Sequence, residues 1–209
     1  MIILRDSRQK GFTLVEMLMA IFIFTLLGLG VIALIEEIFT SSNQQSLFLN
    51  NIDQARIVSS KFIDELRNTT FGKDGSYPLN QAGDSQIIFY SSVGGNDMIV
   101  DRIRYYFSGN TLYKGIIVPT GSPLNYNLSS EIVTSVQTNL DNGITPVFYY
   151  YDGNYNGDTA SLNQPINVNQ VKFVKINLIF LNQNETNKNV ISSINAGATI
   201  RNLKNNLGN

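Results

Sequence analysis

The chain has 209 residues, and only 15% of them are charged, against a usual level of about 25%. It contains no Cys and no His, which removes disulfides, thiolate nucleophiles, imidazole metal ligands and any His-based triad together. Fifteen bases against sixteen acids give a net charge of −1, and beyond residue 11 the closest pair of bases is Arg102 and Arg104, so the clustered basic footprint of a nucleic-acid binder is missing.

Residues 1–10 hold three bases (Arg5, Arg8 and Lys10) and one acid. From Phe12 to Ile35 follow 24 residues with a single charge, Glu16. As a helix this run is roughly 36 Å long, enough to cross a bilayer. It is too long and uniform for a signal-peptide core, and no small-residue cleavage site follows it. The basic flank places the N-terminus in the cytoplasm and the remainder outside the membrane.

After the span the apolar pattern thins without a break. Phe48, Ile52, Ala55, Phe62 and Leu66 keep helical spacing, with Val58 and Ser59 filling the gap. Asn51, Asp53, Arg56, Lys61, Asp64, Glu65 and Arg67 form the expected polar face. No Pro or Gly interrupts residues 31–71, so one helix is expected from about Phe12 to Asn68. Its first half is apolar all round and suits lipid, while its second half is amphipathic and suits packing on a domain.

From Ser76 the period changes to two. The runs "SQIIFYSSV", "DRIRYYFSG", "TLYKGIIV", "EIVTSVQT", "VFYYYD", "VKFVKINLIFL" and "NAGATIRNL" are rich in β-branched and aromatic residues. Turn signals separate them: "GGND", "SGN", "PTGSP", "DNG", "DGNYNGD" and "NQNETNKN". The expected fold class is α+β: a spine helix whose C-terminal half carries one meandering antiparallel sheet. The expected boundaries are a leader at 1–11, a membrane half of the helix at 12–35, an amphipathic half at 36–70, and a β-rich head at 71–209.

The stretch "RQKGFTLVEMLMAIFIFTLLGLGVIALI" resembles the class III signal of type IV pilins and type II secretion pseudopilins. The resemblance implies that a membrane peptidase cuts between Gly11 and Phe12, methylates the new amine of Phe12, and leaves Glu16 as the acidic fifth residue of the mature chain. It also implies other pilins or pseudopilins, an inner-membrane assembly platform and membrane lipid as partners, with no nucleic acid and no cofactor. The location implied is the inner membrane, then a pilus or pseudopilus with the head periplasmic or extracellular. A carboxylate inside a bilayer-spanning helix costs about 2.5–3.5 kcal/mol on insertion scales, which agrees with a functional Glu16; the plainer reading is an interfacial Glu near the helix start. "RIRYYFSGNTLYKG" looks like a hairpin of J-type minor pseudopilins and comparable minor pilins, and "ATIRNLKNNL" looks like a terminal strand of such heads. Family members often carry a Pro within the apolar segment; here the nearest helix-weakening residues are Gly28 and Gly30.

Other constellations are weaker. "DGNYNGD" supplies Asp152, Asn154, Asn156 and Asp158 at the opening spacing of a calcium loop, but Asn163 stands where a bidentate Glu belongs. An Asx-turn loop between strands explains the same residues. Tyr149, Tyr150, Tyr151 and Tyr155 fit a carbohydrate-stacking surface or, more simply, a strand with one aromatic face inward. Asn184 opens an Asn-Glu-Thr glycosylation pattern. Lys61 with Ser59 or Ser60 reads as a solvated helix face rather than a Ser-Lys dyad. An enzyme is not expected, since no spacing singles out a catalytic pair. The alternative from another class is a membrane-anchored surface protein whose head binds a glycan or a calcium-dependent partner.

Overall fold

The computed structural model of the chain describes residues 11–92, 99–184 and 187–203. The basic leader, the "GGND" turn and the end of "ATIRNLKNNL" lie outside the described residues. The fold class is α+β: a long N-terminal helix followed by an antiparallel β head. The helix, α1, runs from Leu14 to Arg67 without interruption over 54 residues, within two residues of the expected ends. It contains no Pro, and its two glycines are embedded among strong helix formers.

The chain divides after Ser46 into two compact units. In the first, every described side chain from Gly11 to Ser46 is exposed. From Leu14 to Ile35 the helix rises roughly 33 Å, matching a hydrocarbon layer of about 30 Å.

The second unit begins at Leu47. The remainder of α1 buries Ala55, Phe62, Ile63 and Leu66, a stripe at helical spacing. Among the described residues eight strands follow: β1 (Leu79–Ala82), β2 (Gln86–Ser92), β3 (Val100–Ser108), β4 (Thr111–Ile117), β5 (Ile132–Gln137), β6 (Phe148–Tyr151), β7 (Phe173–Asn184) and β8 (Asn187–Thr199). They form two sheets rather than the expected one: a five-stranded meander β1-β2-β3-β4-β5 and a three-stranded meander β6-β7-β8. Alternation in β3 is as expected, with Ile103 and Tyr105 inward and Arg102, Arg104 and Tyr106 half-exposed. The β3–β4 turn is two residues long, since Ser108 pairs with Thr111. Gly109 there takes a φ of 61°, which a side chain at the first turn position resists.

One core unites helix and sheets. Phe62 meets the rings of Phe89 at 6.1 Å, Tyr105 at 5.2 Å and Phe148 at 5.7 Å, so a single helical residue touches both sheets. Tyr150 adds a second tie: its hydroxyl donates to the Gly83 carbonyl at 2.9 Å and accepts from the Gly83 N–H at 3.1 Å.

Several expectations need correction. β1 is a strand that the expected runs do not include. "NQNETNKN" is mostly strand, because β7 runs on to Asn184 and β8 starts at Asn187, which pairs with it. "NAGATIRNL" ends as a strand at Thr199, and Arg201–Leu203 form a short 3-10 turn. Glu65 does not belong to the polar face of α1. It is half-buried against β3 and β4, where it pairs with Lys114 and accepts from the Tyr105 hydroxyl at 2.9 Å.

Candidate functional site

The candidate processing segment sits where α1 begins. Gly11, Phe12 and Thr13 are non-helical and exposed, so the Gly11–Phe12 bond lies in open backbone immediately before the helix. Among the described residues, a Cβ added at Gly11 meets nothing within 4 Å, so packing there does not require the glycine. Thr13 caps the helix. Its hydroxyl oxygen accepts from the Glu16 N–H at 3.3 Å, and its carbonyl accepts from the Met17 N–H at 3.2 Å. Thr13 and Glu16 thus stand at the two positions of a capping box, a signal present in "TLVE" that the sequence reading passed over. Glu16 lies in the first turn, where the helix dipole favours a negative charge.

This placement gives Glu16 an ordinary structural use and leaves its carboxylate exposed within the chain. A new amine at Phe12 would bring a positive charge to the positive end of the same dipole. Glu16, one turn on, is the only acid from Phe12 through Ile35 that stands near it. Gly28 and Gly30 are helical and also open, with nothing within 4 Å of an added Cβ.

In the head, the weaker candidates resolve into local structure. Asp152 accepts from the Asn154 backbone N–H at 2.9 Å, and Asn156 accepts from that of Asp158 at 3.2 Å. These are successive Asx turns, completed by Gly157 at a φ of 107°. Tyr155 from that loop packs on Tyr151 at 4.1 Å and on Phe173 at 4.6 Å. The Tyr149–Tyr151 run follows the strand reading: Tyr150 is buried and its two neighbours are half-buried. Ser59 is buried while Ser60 and Lys61 are exposed, so the three do not share one solvated face and Lys61 is not paired with Ser59. Asn184 ends β7, and the Glu and Thr that complete its motif lie outside the described residues.

Two polar arrangements were not read from sequence. On the inner side of the first sheet, Asp101 is buried beside the Glu65–Lys114 pair, and its Oδ1 has no hydrogen-bond partner among the described residues. Burial raises the Asp101 carboxyl above the usual range; Lys114 opposes this and Glu65 adds to it. On the outer side, Arg104 donates to Glu131 through Nε at 2.8 Å and Nη2 at 2.5 Å, and its guanidinium lies 4.1 Å from the Tyr106 ring centre. Gly115 makes room for this, since a Cβ there would overlap the Glu131 carboxylate.

Residues 6–32 match the family described as the prokaryotic N-terminal methylation motif. The match spans the expected cleavage bond, the capping turn and most of the apolar half of α1. The chain therefore carries a prepilin-type, class III N-terminal signal, and this signal implies processing by a prepilin peptidase and assembly with other pilins. The signal and the apolar helix fit a membrane-anchored, pilin-type precursor. No curated protein matches the chain.

Proposed function

We propose that the chain is a minor pilin or pseudopilin, a structural subunit and not an enzyme. Residues 1–11 are a leader removed after Gly11, and Phe12 becomes the methylated N-terminus. Residues 12–35 hold the protein in the inner membrane and later in the filament. Residues 36–70 carry the head, 71–209, on the periplasmic or extracellular side. The subunit enters, or starts, a type IV pilus or a type II secretion or competence pseudopilus. Its partners are the prepilin peptidase and methyltransferase, an inner-membrane assembly platform and other pilins.

The observation that carries this reading is the methylation-motif match over residues 6–32 on a helix whose apolar half is wholly exposed. A stretch of bare Leu, Ile, Phe and Met of that length requires lipid or other helices as surroundings. The tight β3–β4 hairpin and the large head support the minor, J-type-like assignment. In this reading DGNYNGD is a turn between strands, with Asp152 and Asn156 each accepting a backbone N–H.

Glu16 is the assembly residue in this account. In a staggered stack, the Phe12 amine of one subunit meets Glu16 of its neighbour, and a buried pair broken on one side costs about 3–5 kcal/mol. Glu16→Ala is expected to be cleaved normally and to keep a folded head, yet to lose co-purification with partner pilins. Assembly of that variant at the wild-type level would show that Glu16 is only a helix-capping residue.

A further inference from the structure

We infer that the β5 edge of the head, with the groove between it and α1, is a docking site for an extended segment of another polypeptide, which adds to the five-stranded sheet as a sixth strand. Among the described residues, β5 is the last strand of that sheet, hydrogen-bonded to β4 on one side only. Sheet edges are usually guarded by charges, Pro, short length or a covering segment. In the three-stranded sheet, the outer strand β8 carries a charge, Lys188, and the overhanging end of β7 is covered. Where β7 outruns the four-residue β6, Asn142 covers it: its side chain accepts from the Ile179 N–H at 3.1 Å and donates to the Asn177 carbonyl at 2.9 Å. β5, "IVTSVQ", has no charge and no Pro, and its first four residues are exposed. Ile132 and Val133 are 69% and 42% exposed, one on each face of the sheet.

Beside this edge the helix stops short of covering the sheet. A groove of about 480 Å³ lies between them, with Ile57, Val58, Ile116 and Val136 among its walls. Gln137 also lines it; this side chain is 1% exposed and its Oε1 has no donor among the described residues. Two cations and no acid line the groove. Lys114 is already paired with Glu65. Lys61, exposed, makes no ion pair among the described residues.

These features specify the occupant. An unpaired backbone edge selects an extended strand, because only main chain matches its repeating N–H and C=O groups. The apolar walls select Val-, Ile- or Leu-type side chains at every second position, and the unmatched Lys61 selects an acid on the segment. A second copy of this chain fits less well, since its own β5 carries no acid and would bring another Lys61. The partner is therefore a different polypeptide. The inference stands on the head and does not depend on the N-terminal signal.

The test places a photo-reactive amino acid at Thr134 of the full-length chain in its own host, with sequencing of the joined peptide. The expected result is one partner, joined through a segment that alternates apolar residues and contains an acid. Lys61→Glu, at an exposed position and with a wild-type circular dichroism spectrum and melting temperature, is expected to lower the yield about tenfold through like-charge repulsion. Reversing the partner's acid to Lys in that background restores it. Val133→Pro, with a wild-type circular dichroism spectrum, is expected to abolish the product. Crosslinks joining β5 to β5 of a second copy would overturn the inference. So would a scatter of unrelated partners, or a yield unchanged by Lys61→Glu.

Discussion

Replacing Glu65 with Gln tests how the helix is fastened to the first sheet. Glu65 pairs with Lys114 and accepts from Tyr105, and the Lys114 and Glu65 side chains are 14% and 25% exposed. Gln keeps the shape and the acceptor for Tyr105 but removes the charge, leaving the Lys114 ammonium against the inner face of the sheet. Exposed ion pairs are worth about 0–1 kcal/mol, and removing one partner of a fully buried pair costs about 3–5 kcal/mol. With this degree of exposure the loss falls between, at about 2 kcal/mol. For a domain of this size that lowers Tm by roughly 4–8 °C. The assay is denaturant unfolding of the chain without residues 1–35, expected to be soluble because the bare apolar stretch is gone. Adding Lys114→Met removes the stranded cation and is expected to recover most of the loss, since apolar replacement of both partners is often neutral. A single-variant change below about 0.5 kcal/mol, or a double variant as unstable as the sum of two losses, would show that this pair does not fasten the helix to the sheet.

Further expectations follow from the polar arrangements of the head. Gly115→Ala places a methyl group against the Glu131 carboxylate and is expected to cost about 1–2 kcal/mol by displacing Glu131 from Arg104; in a Glu131→Ala background the cost should largely vanish, as a double-mutant cycle will read. Asp101 is expected to oppose stability as pH rises. Its folded carboxyl is raised by burial, so the folded state holds the proton more tightly, and the contribution is fully present below the unfolded value of about 4. It is lost as pH climbs through the raised folded value. Asp101→Asn should lack that decline and be at least as stable as wild type at neutral pH, measured by unfolding midpoints across the range. An unchanged pH profile would show that burial does not raise the Asp101 carboxyl in the folded state.

The helix and the central hairpin were legible because their signals are local. α1 has no Pro and keeps an apolar stripe, and β3 alternates from Arg102 to Tyr106 before a Gly turn into β4. β1 was hidden because only Leu79 of its four residues is fully buried and the rest are polar or small. The start of β8 was hidden for a related reason: the Asn-rich "NQNETNKN" has loop composition, and its pairing with the end of β7 is a tertiary fact. Glu65 was misplaced because the sheet wraps further around α1 than the apolar stripe reveals, and a carboxylate with two partners there is cheaper than the pattern suggests. The division into two sheets depends on where β6 pairs, which strand periodicity does not encode. The candidate processing segment was the most legible part, since its signal is a contiguous motif; what the sequence reading lacked was the cap between Thr13 and Glu16.

If the helix is both anchor and processed assembly element, as proposed, the N-terminus of the mature protein records it. Intact-mass analysis of the chain from its own membranes, with sequencing of the first peptide, is predicted to show a protein beginning at Phe12 and carrying one methyl group on its amine. Gly11→Val should remain uncut, because a β-branched side chain replaces the hydrogen that lets the backbone into a peptidase cleft. A wild-type protein that retains Met1, or a Gly11→Val variant cut as wild type, would contradict the account.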